Sequence, residues 1–229
     1  MTPSAESRLD LPVVGERQSL REQVAHALRV ALITGEMRPG MVYSAPVLAA
    51  QFGVSATPVR EAMLDLAKEG LVEAVRNKGF RVTELSDRDL DELTALRQLI
   101  EVPTVARLAD PARRAEFEGL RPIAEEIIVA AGNGDLLAYV DADLRFHVEL
   151  LALAGNAHLV TVVRDLRNRA RLYGLDALYR KGTLADSARE HFYILDALCD
   201  GDAGAAEGLM NQHIGHVRGI WAARPEPED

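Results

Sequence analysis

"LAAQFGVSATPVREAMLDLAKEGLV" (residues 48–72) sets two apolar runs around a glycine, small hydroxyl residues and a proline, and its second run has helical spacing. Gly53 supplies a turn, Ser55 or Thr57 can cap the helix that follows, and Pro58 falls in the first turn, where a missing N–H costs little. Between Ser55 and Lys68, the residues Val59, Met63 and Leu66 share one face, while Thr57 and Arg60, three apart, lie opposite. That leaves two readings: an ordinary helix start, or a surface of short polar groups and one arginine that meets base edges in a DNA groove. The helix alone does not choose between them.

Its surroundings add the rest of a domain. Upstream, "SLREQVAHALRVALIT" (19–34) puts Leu20, Val24, Leu28 and Leu32 at four-residue steps, an amphipathic helix that "GEMRPG" stops. A short strand is expected over "MVY" (41–43) and a brief helix over "PVLAAQF" (46–52). Downstream, "LVEAV" (71–75) and "FRVTEL" (80–85) read as strands joined by the basic hairpin "RNKG". Helix, turn, helix and basic hairpin make a winged helix-turn-helix over 17–85, behind a flexible tail at 1–16.

Past Leu85 only helical patterns follow. Ser86 with Asp89 opens one in capping-box fashion, and others are expected over 112–131, 136–154, 157–174, 184–199 and 203–223. Asp135, Asn156 and Asp202 stand at caps and Gly155 and Gly201 in breaks. The fold class is therefore mostly α: an N-terminal winged helix-turn-helix, then an antiparallel bundle of about six helices over 86–223, with a tail at 224–229.

The 229 residues are nearly half apolar, enough for a substantial core, and no run is long enough to span a bilayer. The start, "MTPSAESRLDLPVVGERQ", lacks a secretory layout, so the expected location is cytoplasmic, with no membrane partner. The single cysteine, Cys199, excludes an internal disulfide or a thiolate metal cage. The net charge of −9 argues against nucleic acid only on average. Residues 17–84 carry nine Lys+Arg against seven Asp+Glu, a balance of +2, whereas residues 85–229 carry 16 against 25. The first half can approach DNA and the acidic second half has another task.

Residues 48–72, with "LRVALITGEMRPG" before them and "NKGFRV" after, resemble the signature of GntR-family transcriptional regulators over about 18–84. The resemblance implies that Ser55, Thr57 and Arg60 contact double-stranded operator DNA and that Gly79 approaches the minor groove. Arg76, Lys78 and Arg81 would serve phosphates, or be solvated hairpin charges. Ala56 stands where the family usually has an arginine; an Arg–guanine pair is worth about 1–3 kcal/mol, and Ala56 could instead pack on a thymine methyl. Ala45 and Val47 replace acidic residues of the pattern.

In the second half, "DADLRFHVELL" puts Asp143 and His147 on the face of Val140 and Leu150; His191 leads the stripe of Ile194, Leu195 and Leu198, and His213 lies between Leu209 and Val217. One inward histidine is ordinarily a satisfied core residue. A carboxylate and three imidazoles in one interior need something to offset desolvation, and a metal accepting all four does so. These donors suit zinc, nickel, manganese or iron, with His216 as a substitute or supporting group.

The same segments resemble the FCD effector domain of the FadR branch, in its smaller VanR-like form, over about 88–223. That resemblance implies that Asp143, His147, His191 and His213 bind a divalent metal, zinc or nickel, and that Arg97 faces an effector pocket. Arg97 otherwise reads as an edge arginine with its head in water; as a pocket residue it would pair a small carboxylate effector. Arg164, Arg167 and Arg171 either add contacts or form a solvated face.

The expected protein is a homodimeric, metabolite-responsive regulator, a repressor, and not an enzyme. Two rivals remain: the metal is itself the signal or purely structural, or the site is a metal-dependent hydrolase. Against the latter, no HExxH helix is present, though Glu149 or Glu190 could serve as a base.

Overall fold

The computed structural model describes residues 19–170, 179 and 182–221, with backbone alone for 216–221. The tails at 1–16 and 224–229, Arg171, and the side chains of His216 and Val217 lie outside the described residues. Helix α1 (Leu20–Ile33) opens on a capping box: the Glu22 amide donates to Ser19 Oγ, and the Ser19 amide donates to the Glu22 carboxylate at 2.7 Å. Val24, Leu28 and Leu32 are buried as their spacing requires, while Leu20 in the first turn is exposed.

Helix α2 (Ala45–Phe52) is capped by Ser44 and ends at Gly53, whose φ of +66° is the left-handed conformation that lets the chain turn into α3 (Ala56–Lys68). Val59, Ala62, Met63 and Leu66 of α3 are fully buried. Arg21 pairs with Asp65 at 2.6 Å and Arg29 with Glu69 at 2.5 Å, tying α1 to α3. Strands β1 (Val42–Tyr43), β2 (Val72–Val75) and β3 (Gly79–Val82) form an antiparallel sheet in the order β1-β3-β2, with Phe80 opposite both Tyr43 and Ala74. The second wing strand stops at Val82 rather than Leu85; just beyond it the Thr83 amide and hydroxyl donate to the carbonyls of Leu71 and Gly70 at 3.0 and 2.7 Å.

In the bundle, α4 (Asp87–Leu108) begins with the expected Ser86–Asp89 capping box and runs through Pro103. The single helix expected over 112–131 is instead a 3-10 turn, Pro111–Arg113, a short α5 (Arg114–Glu118) and α6 (Arg121–Asn133). Pro122 has no amide hydrogen with which to prolong α5, but it fits the first turn of a new helix, and Phe117 and Leu120 both turn inward at the break. Then come α7 (Leu136–Ala152), α8 (Ala157–Ala170), α9 (Leu184–Asp200) and α10 (Ala203–Trp221). Asp135, Asn156 and Asp202 accept amide hydrogen bonds from Ala138, Leu159 and Ala205, as their cap positions predict.

The six long helices pack α4 on α10, α6 on α7 and α9, α9 on α10, and α8 on α7 and α4, while α1 of the winged domain rests on α7. Phe146, Leu150, Leu151, Ile194, Leu195 and Leu198 form the centre of the bundle with almost no exposure. None of the described helices is long and apolar enough to cross a membrane.

Candidate functional site

Beside that apolar centre, three helices aim polar side chains at one point. α7 supplies Asp143 and His147 one turn apart, α9 supplies His191 and α10 supplies His213, and one donor atom from each lies within 4.8 Å of the others. The three imidazoles have no solvent exposure, while the Asp143 side chain is 20% exposed and forms the open side of the cluster. The edge of Phe146 packs on His191, with ring centroids 4.7 Å apart.

The hydrogen bonds behind the rings determine what the front offers. His191 Nδ1 lies 3.0 Å from the Ala188 carbonyl oxygen, which only accepts, so that nitrogen carries the proton and Nε2 carries a lone pair. His213 Nδ1 lies 2.7 Å from a Glu190 carboxylate oxygen, which fixes the same tautomer. His191 Nε2 then faces Asp143 Oδ1 at 3.2 Å, two acceptors aimed at each other. His213 Nε2 faces His147 Nε2 at 3.1 Å. If His147 satisfies that contact with a proton on Nε2, its Nδ1 becomes a lone pair 3.5 Å from Glu101 Oε2, and this buried Nδ1 has no hydrogen-bond partner among the described residues. A cation among the front atoms removes both conflicts, since it accepts the lone pairs and leaves the His147 proton on the side of Glu101. The donor set therefore fits a divalent metal.

Electrostatics keeps these groups in ligand form. Burial, reinforced by Arg167, pushes His147 well below the ordinary imidazole range. Burial also lowers His213, against the opposing pull of Glu190. For Asp143, burial alone would favour the neutral acid, but the guanidinium of Arg167, which donates to Oδ2 at 3.0 Å, holds it below the usual carboxylate range. The neutral forms favoured at His147 and His213 and the ionised form favoured at Asp143 are the ones metal binding requires.

Around the cluster runs a buried ionic network. Arg97 is 3% exposed, so its head does not reach water; its Nε donates to Glu101 Oε1 at 2.8 Å, and its buried Nη2 has no hydrogen-bond partner among the described residues. Arg167 donates through Nη2 to Glu101 Oε2 at 2.8 Å and through Nη1 to Asp143 Oδ2 at 3.0 Å. Of the three arginines on this stretch, Arg167 thus turns inward, Arg164 is exposed and Arg171 is outside the described residues. Sequence reasoning missed Glu101, although it lies four residues after Arg97 on the same inward face, and missed the orienting role of Glu190, next to His191.

The winged domain presents the other surface. Ser55 occupies the N-cap of α3 but makes no side-chain capping bond, so its hydroxyl is not spent on the helix, and Thr57 and Arg60 are exposed beside it. Ala56 is half-buried and leans on the hydrophobic core, which leaves only part of its methyl for a base. A groove of about 450 Å³ between Arg60, the start of α2 and the wing is edged by Asn77 and Lys78. Arg76 and Lys78 are exposed, whereas Arg81 pairs across the hairpin with Glu73 at 2.8 Å. Gly79 has φ +133°, and a Cβ there would lie 2.3 Å from the Tyr43 carbonyl oxygen, so its missing side chain already serves the packing of the wing on β1.

Known proteins share both halves. Residues 20–82 match the gntR family of bacterial regulatory proteins and residues 92–216 match the FCD domain. The HTH-type transcriptional regulator YdhC of Bacillus subtilis (strain 168) is 30% identical, over 85% of this chain and 87% of its own. The probable D-xylose utilization operon transcriptional repressor of Paenarthrobacter nicotinovorans is 31% identical, over 86% and 87%. The solved structure of E. coli McbR/YncC superposes with a TM-score of 0.68 at 25% identity, covering 90% of this chain and 99% of that one. The chain belongs to the GntR family of bacterial transcriptional regulators and carries the FCD domain as its second half.

Proposed function

We propose that this regulator is a homodimeric repressor whose affinity for double-stranded operator DNA is set by a small organic acid bound at a divalent metal, zinc or nickel, inside the FCD domain. The observation that carries the proposal is the convergence of acceptor atoms: His191 Nε2 on Asp143 Oδ1 at 3.2 Å and His213 Nε2 on His147 Nε2 at 3.1 Å, with the far nitrogens of His191 and His213 already committed. Asp143, His147, His191 and His213 would hold the metal, which when bound would supply a Lewis-acidic point for a ligand oxygen.

The charge balance favours an acid as ligand. Arg97 and Arg167 offset Glu101 and Asp143, and Glu190 behind His213 adds one more carboxylate, so a divalent cation held by imidazole lone pairs leaves the interior with a surplus of one positive charge. Buried charge of that size calls for anions, and the spare Nη2 of Arg97 can donate to one. On the DNA side, Ser55, Thr57 and Arg60 would reach base edges, with Ala56 a minor apolar contact, while Arg76 and Lys78 would take phosphates. Arg81 would do so only by leaving Glu73, and Gly79 would let the wing approach the minor groove. Two recognition helices suit a two-fold operator, and the relative from Paenarthrobacter is named a repressor.

The test is operator binding by metal-stripped and zinc- or nickel-loaded protein against a panel of mono- and dicarboxylates. An acid that weakens binding tenfold, about 1.4 kcal/mol of coupling, only when metal is present supports the reading. Metal dependence without any response to acids would make the metal the signal or a structural element instead.

A further inference from the structure

We infer that the seam between the two domains holds a second ligand site, independent of the metal cluster, for a small carboxylate with an aromatic or branched apolar body. A cavity of about 160 Å³ lies where the end of α1 and the sheet meet α8. Leu32, Ile33, Met37, Leu71 and Val82 line it, all buried, and among the described residues of the bundle Arg169 lines it too. A cavity of about 150 Å³ with walls of this kind accommodates a benzene ring. Gly35 and Gly70, at φ +77° and +76°, leave parts of the wall without side chains, and the stem of Arg169 lies across Gly70.

The polarity of the walls selects the ligand. The Thr83 hydroxyl also borders the cavity, but its proton is committed to the Gly70 carbonyl. Arg169 is the single charged residue of the lining among the described residues. Its charge is felt by Asp89, yet Asp89 takes its hydrogen bonds from the hydroxyl and amide of Ser86. An apolar body inside and an anionic group at Arg169 match this division, and small-molecule sites favour such domain seams. The position also gives the site a function. Two residues before Arg169, Arg167 grips Glu101 and Asp143, so a ligand wedged at the seam bears on the helix that braces the histidine cluster as well as on the DNA-binding domain.

The experiment uses the full chain with ¹³C-methyl-labelled methionines and benzoate as probe. Met37 lines the cavity, and Met210, three residues from His213, reports on the bundle. Benzoate is expected to shift the Met37 methyl resonance saturably, before and after metal stripping, and to leave Met210 in place. Arg169→Gln should weaken benzoate at least tenfold, leave neutral benzyl alcohol unchanged, and be rescued in part by Arg169→Lys. The inference is overturned if Met37 does not move, if the Gln variant weakens both probes equally, or if the benzoate response is confined to Met210 and disappears with the metal; that last result would place the probe at the histidine cluster. Loss of the metal-site reading would leave the Met37 response intact, so the two proposals fail separately.

Discussion

Replacing Glu101 by glutamine tests the ionic network directly. Glu101 has no solvent exposure and receives Arg97 on one oxygen at 2.8 Å and Arg167 on the other at 2.8 Å. Glutamine keeps the volume but removes the charge, and it sets an amide NH₂ against one guanidinium, donor to donor. Removing one partner of a buried ionic group costs about 3–5 kcal/mol, because the charges left behind cannot be resolvated. At 2–4 °C per kcal/mol for a chain of this size, the thermal midpoint should fall by roughly 6–20 °C. The measurement is a urea or thermal unfolding curve of metal-stripped protein. The pH dependence supplies a second check. Burial would raise Glu101, but Arg167 and Arg97 outweigh it and leave the folded carboxyl below its ordinary range. Its contribution is therefore complete above the unfolded glutamate value, about pH 4.3, and is lost as pH falls through the lower folded value, so the two proteins should converge in acid. A loss under about 1 kcal/mol at neutral pH, or a gap that persists in acid, would refute the network's role.

Glu190→Gln, which weakens the acceptor behind His213, should lower metal affinity about 10- to 100-fold in a competitive chelator titration, with little change in the unfolding of metal-free protein. Arg60→Ala should cost about 1–3 kcal/mol at the operator and relax preference at one base pair, while Lys78→Ala should weaken all sequences alike and reduce the salt slope by about one. Gly79→Ala forces a Cβ to 2.3 Å from the Tyr43 carbonyl at φ +133°; the expected cost is about 1–3 kcal/mol, confined to the β1–β3 edge and visible there by amide exchange. Exchange unchanged at Tyr43 and Phe80 would mean that the wing does not depend on that close approach.

The sequence carries most of the architecture because the relevant signals are local. Val59, Met63 and Leu66 declare the buried face of α3 by spacing alone, and Ser86 with Asp89 marks the start of α4 within four residues. The inward positions of His147, His191 and His213 are legible for the same reason, since each shares a helix face with aliphatic residues that are also buried. The break between α5 and α6 has a weaker sequence signal. Residues 112–131 keep helical periodicity across it, and only Pro122, acceptable in a first turn and costly in an interior, distinguishes one helix from two.

What periodicity cannot supply is which charge meets which across the bundle. Arg164 and Arg167 are three apart on α8 and look alike in sequence, yet one is exposed and the other is 5% exposed between two carboxylates. The difference lies in partners 66 and 24 residues away, Glu101 on α4 and Asp143 on α7, whose helices meet α8 only once the bundle is assembled. A buried arginine without those carboxylates would be too costly to keep, and the carboxylates without it would be driven towards their neutral forms. The network is therefore mutually dependent. The faces of Asp143 and Glu101 can be read from their own helices, but the pairing of both with Arg167 exists only in the assembled bundle.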